Sequence, residues 1–120
     1  MSSNVIDIAK NQFKERLNAG LQVIEVPEWS DENGIPLKIY YKPALNLKQQ
    51  QKVLELSAQN KVSEAIAMTL VLRSLDEEGN SMFKQANMPE IMRDMDPDVV
   101  ARIVSVMTQE DLTVDQIEKN

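Results

Sequence analysis

A chain of 120 residues is one domain with room for a real core. It holds no cysteine and no histidine, which excludes disulfides and thiolate chemistry and removes the usual general base and commonest metal ligand. The net charge of -6 sits in the second half: residues 1–60 carry seven acids and seven bases, residues 61–120 twelve acids and six bases. An acidic half repels phosphate, so nucleic acid is not an expected partner, whereas a basic protein is a possible one. The N-terminus lacks a basic region followed by an apolar stretch, which predicts no signal peptide and an intracellular, soluble protein.

Residues 4–19 read as an amphipathic helix. Asn4 or Ser3 caps it, Val5, Ile8, Ala9, Phe13 and Leu17 form one stripe, and Gly20 stands just past its end. The helix packs on the domain or on a neighbouring subunit. Leu21 to Val26 is a short β-branched run stopped by Pro27, and Asp31-Glu32-Asn33-Gly34 is a turn signal. From Ile35 to Lys42 the alternation puts Ile35, Leu37, Ile39 and Tyr41 on one face. Together these predict a β-hairpin over about 21–42, with Pro36 marking an open edge. Two strands alone are marginal, so helices or strands of another chain must cover them.

Asn46-Leu47-Lys48-Gln49 is a capping box for a helix to about Gln59, with Leu47, Val53, Leu54, Leu56 and Ala58 inward. The centre of the fold follows at about 61–75. From Ala65 to Leu72 only Thr69 is polar, a run far short of the ~20 residues that cross a bilayer. Asn60 stands where an N-cap belongs, and the helix is apolar almost all round, so other elements must bury it on several sides. Asp76-Glu77-Glu78-Gly79-Asn80 is a turn with Gly79 supplying positive φ. It misses calcium spacing, because Gly arrives at the fourth position and Asn87 at the twelfth. Asn87-Met88-Pro89-Glu90 is a second capping box, and Asp96-Pro97 opens a last helix to about Met107 that buries Val99, Val100, Ile103, Val104 and Met107. Residues 108–120 read as a polar tail, in which Thr113 caps one more turn at most. The class is therefore α+β, mostly α-helical: one hairpin packed with four to five helices in a single domain spanning 1–120.

Ser and acidic pairs are present, but without His or Cys no nucleophile has a matched base, so no catalytic residue, metal or cofactor is expected. The Met cluster is the one candidate surface. Met88, Ile91, Met92 and Met95 share a face, which suits either core packing or an adaptable apolar groove for a partner.

Several motifs, in order, resemble the tail assembly chaperones of long-tailed phages and prophages. They are Val26-Pro27-Glu28-Trp29 at the end of a first strand, Lys42-Pro43-Ala44-Leu45-Asn46-Leu47 where strand becomes helix, the acidic turn around Gly79 ending in Phe83, and Asp96-Pro97 opening the closing helix. The resemblance spans roughly Leu21 to Met107 and departs in having a full helix before the first strand. It implies a non-enzymatic factor of the host cytoplasm that binds the tape measure protein while tail tube subunits polymerise around it. The partners it implies are the tape measure protein, with the tail tube protein as a further candidate, and further copies of this chain, with no nucleic acid and no membrane. The competing reading is a small acidic adaptor or inhibitor that binds a single host or phage protein.

Overall fold

The computed structural model describes residues 4–119, with side chains described as far as residue 108. Five α-helices and one antiparallel hairpin follow in the order α1 (Val5–Leu17), β1 (Gln22–Val26), β2 (Leu37–Tyr41), α2 (Leu47–Ala58), α3 (Val62–Arg73), α4 (Met88–Asp94) and α5 (Pro97–Lys119). The α+β, mostly helical class read from the sequence is the observed one.

The hairpin pairs Ile24 with Ile39 and Val26 with Leu37. That register turns Ile24, Val26, Leu37, Ile39 and Tyr41 to one face, and Val26, Ile39 and Tyr41 are essentially fully buried. The strands are not joined by a tight Asn-Gly turn. A 3-10 turn at Pro27–Trp29 comes first, and then Asp31 organises the return. The Asp31 carboxylate accepts from the amides of Asn33 (2.8 Å) and Ile35 (3.0 Å), and Gly34 takes φ +77°. Ile35, expected on the inner face, lies beyond the strand and is 58% exposed. Tyr40 exchanges two backbone hydrogen bonds with Leu75 (2.9 and 2.7 Å), so the chain leaving α3 pairs with the outer side of β2 at that position.

Helix α3 is the middle of the molecule, with α2 on one side and α4 and α5 on the other. Ala67, Leu70 and Val71 meet the hairpin face, Ile91 of α4, and Val99, Val100, Ile103, Val104 and Met107 of α5. All five predicted inward residues of α5 are buried. Asn60 does not cap α3. It takes φ +60° and ends α2 instead, with Lys61 N–H donating to Leu56 O (2.8 Å) and Asn60 N–H to Ser57 O (3.0 Å). This is the double hydrogen-bond closure in which a left-handed Asn replaces Gly.

The capping box at Asn46 forms in both directions, 2.8 Å to the Gln49 amide and 3.1 Å back to the Asn46 amide. The one expected at Asn87 does not form, because its side-chain oxygen accepts from the Lys84 amide (2.8 Å) and holds the preceding 3-10 turn. Asp96 opens α5 by accepting from the Asp98 amide (2.9 Å). The helix does not stop near Met107: it continues to Lys119, so the polar tail with a separate capped turn at Thr113 is one with α5.

Two surfaces escape the core. Helix α2 has no buried residue, and Leu47 and Leu54, read as inward, are 83% and 65% exposed. Helix α1 forms as expected, with Asn4 accepting from the Asp7 amide (2.9 Å), but none of its residues is buried either. Its stripe stands open beside Leu45 and Leu47. The radius of gyration is 16.1 Å, against about 13.6 Å for a compact chain of this length. Among the described residues no helix is long and apolar enough to cross a membrane.

Candidate functional site

The Met stripe divides when it folds. Helix α4 is a seven-residue element whose inner side faces α3 and α5, so Ile91 is 4% exposed and belongs to the core. Met88 and Met95 are half-buried against that core. Met92, one position round from Ile91, turns outward and is 43% exposed. Ile91, Met92 and Met95 thus make a floor and one wall rather than a free face, and Met88 packs on the core outside the groove's lining. The opposite wall, unforeseen in the sequence, is Ser63, Ile66 and Ala67 of α3, with Pro97 and Val100 of α5 closing the end. The result is an open groove of about 310 Å³ with an apolar floor. The one charged residue that lines it is Arg93, which is ion-paired to Asp94 at 3.0 Å. A depression lined by Ile, Met, Val and Pro suits an apolar side chain.

The other motif positions build the frame. Pro27 starts the 3-10 turn, and Trp29 packs partly buried against the core. Glu28 reaches across to α5, where its two carboxylate oxygens meet the Arg102 guanidinium at 2.5 and 2.6 Å. The fork matches the carboxylate in both contacts. That hydrogen bonding holds the Glu28 carboxyl well below its usual range, from 4.5 to about 2, and raises the Arg102 guanidinium in turn. Nothing in the spacing of the sequence marks Arg102 as the partner of a residue 74 positions earlier.

A depressed carboxylate stabilises the fold at pH values above its unfolded pKa, and that contribution fades as pH falls from about 4.5 towards about 2. Both side chains are roughly half exposed, so solvent screens the pair and the effect is small. Glu28→Gln is expected to remove that part of the acid dependence. Titration followed by Trp29 fluorescence would show a wild-type transition steepened in this window; identical acid profiles would count against it.

Pro43 lies half-buried where β2 ends, Phe83 is half-buried against the core, and Gly79 takes φ +89°. The Asp76 carboxylate accepts from the Glu78 and Asn80 amides (both 2.9 Å), so this loop spends its acid on its own backbone. Among the described residues no three acidic side chains gather to hold a metal ion. Arg73, expected only to suit the end of α3, is instead 5% exposed. It donates through Nη2 to the Lys42 carbonyl (2.8 Å) and lies over the Tyr41 ring, 5.5 Å from its centre, tying α3 to the end of β2.

No protein-family model and no curated protein matches this sequence. Among solved structures, the fold is similar to that of the bacteriophage HK97 tail assembly chaperone, with a TM-score of 0.57, over 82% of this chain and 94% of that one. Identity is 15%, so what the two share is the fold.

Proposed function

We propose that this protein is a tail assembly chaperone of a phage or prophage, a non-enzymatic factor that holds a tape measure protein until tube subunits displace it. The observation that carries the reading is the fold likeness across nearly the whole of the HK97 chaperone. The groove supports it. A long helical client presents apolar side chains at i, i+3, i+4 and i+7, and a groove lined by Ile66, Ile91, Met92, Met95 and Val100 accepts such a stripe. Thioether side chains adapt to varied client residues, which suits a factor that meets many turns of one repetitive helix. Binding in many weak copies keeps the client soluble yet releasable to the tail tube protein. The reading places the protein in the host cytoplasm, as a homo-oligomer, with no nucleic acid and no membrane among its partners.

The acidic second half of the chain favours a second reading, a small adaptor or inhibitor that binds a single host or phage protein. Stoichiometry separates the two, because an adaptor binds one to one whereas a chaperone coats its client.

Co-expression with the tape measure protein of the same genome is expected to keep that protein soluble, with several copies bound per client chain. Met92→Glu places a charge at the groove lip without touching the core. Loss of one buried Met is worth about 1.5–3 kcal/mol, so binding is expected to fall by roughly 10- to 100-fold while the melt stays unchanged. Undiminished binding by the variant would move the site elsewhere. An unaltered protein that neither binds nor solubilises the client would sink the function itself.

A further inference from the structure

We propose that the groove between the β2 edge and the two aspartate turns takes an extended, basic segment of a partner protein, which adds a strand beside Lys38. Trp29, Ile35, Pro36 and Tyr40 line its apolar part, and it holds about 440 Å³. Ile35 is 58% exposed there, a large apolar side chain left in water. The groove shares no residue with the α3/α4/α5 groove, so it is a second surface.

The backbone selects an extended occupant. Tyr40 turns its amide and carbonyl away from β1 and spends both on Leu75. In an antiparallel ladder every second residue does the same, so Lys38 offers an amide and a carbonyl on that edge. The bridge from the chain leaving α3 stops at Tyr40, because Asp76 turns away and donates its amide to the Asn80 carbonyl (2.8 Å). No described residue pairs with the edge at Lys38. An incoming strand therefore finds a donor and an acceptor in line with Leu75. Pro36, the next outward position, has no amide, so the added ladder is short.

Charge selects the chemistry. The lining holds Asp31, Asp76 and Glu77 against one base, Lys38. Asp31 and Asp76 each spend Oδ1 on their own turn, and no described residue is bonded to Oδ2 of either. None of the three acids is ion-paired to a described residue. Among the described residues no three acids gather to hold a metal ion, so the negative charge is spread along the groove, as a segment needs. A Lys or Arg between apolar residues meets carboxylates there and finds the Trp29 and Tyr40 rings beside them. Nucleic acid and acidic segments are repelled.

The test titrates the full chain with a short peptide of alternating lysine and valine and follows Trp29, the single tryptophan. A saturable fluorescence change is expected, weaker as salt is raised, and none with a peptide of alternating glutamate and valine. Glu77→Lys reverses an exposed charge and is expected to weaken binding about 10-fold. Asp76→Asn keeps the acceptor that its turn uses, is expected to weaken binding several-fold, and serves if Glu77→Lys melts early. Methylating the peptide's backbone amides is expected to abolish binding. The proposal is overturned if no saturable change appears at millimolar peptide, or if both variants bind as the unaltered protein does. Equal binding of the glutamate peptide or of the methylated one overturns it as well. So does a Trp29 change that follows protein concentration without peptide, which would make a second copy the occupant. None of these titrations contains a tape measure protein, so this site and the chaperone reading fail separately.

Discussion

Leu70→Asp is expected to unfold the protein, and Lys48→Asp is not. Leu70 is fully buried where α3 meets the hairpin and α5. The core cluster that it belongs to is otherwise made of apolar and aromatic side chains. A carboxylate buried without partners costs several kcal/mol, on the order of the whole stability of a small domain, and neutralising it by protonation costs part of the same sum. Lys48 is exposed on α2, where the reversed charge meets water. Circular dichroism would show loss of the cooperative melt in the first variant alone. A normal melt for Leu70→Asp would mean that α3 is not the middle of the fold.

The second large effect is expected from Arg73→Ala. The residue is nearly fully buried, but its guanidinium is engaged by the Lys42 carbonyl and the Tyr41 face. A hydrogen bond from a charged group contributes about 1.5–3 kcal/mol and a desolvated cation over an aromatic ring about 1–2. Truncation forfeits both and leaves the carbonyl short of a donor. We expect a loss of about 3 kcal/mol, read as a fall in Tm of roughly 10–15 °C. Arg73→Lys is expected to recover only part, because an ammonium cannot stack flat on the ring while reaching the carbonyl. A Tm within a degree or two of the unaltered protein would show that the contact is incidental.

The elements legible in the sequence are those whose signals are local. Asn46 with Gln49 and Asp96 with Pro97 satisfy the orphan amides of a helix start, and both starts formed. The five inward residues of α5 repeat at helical spacing, and all five are buried. Where two local solutions compete, the sequence misleads. Asn60 and Asn87 could cap the next helix, but each closes the turn before it, because the preceding segment left amides or carbonyls that needed a partner sooner. Leu47 and Leu54 read as inward because periodicity reports a stripe, not what covers it. The Met stripe shows the same limit. Helical spacing grouped Met88, Ile91, Met92 and Met95, but only the packing of α4 decided that Ile91 is floor and Met92 lip. Arg73 and Arg102 act through partners distant in the chain, Lys42 with Tyr41 and Glu28, and no spacing rule finds such pairs.

The turns at Asp31 and Asp76 are one device used twice. In each, a carboxylate takes the amides two and four positions on, and a glycine with positive φ completes the return. A Cβ on Gly34 or Gly79 would meet nothing within 4 Å, so only the backbone angle resists change there. In evolutionary terms these are the chain's loose joints. Each can drift to asparagine, lengthen or accept an inserted segment without disturbing what lies beneath. The Pro27–Trp29 turn has no such freedom, because lengthening it would carry Glu28 away from Arg102. Lineages of this fold should therefore diverge in size at the two aspartate turns while the stretch between Val26 and Ser30 keeps its length.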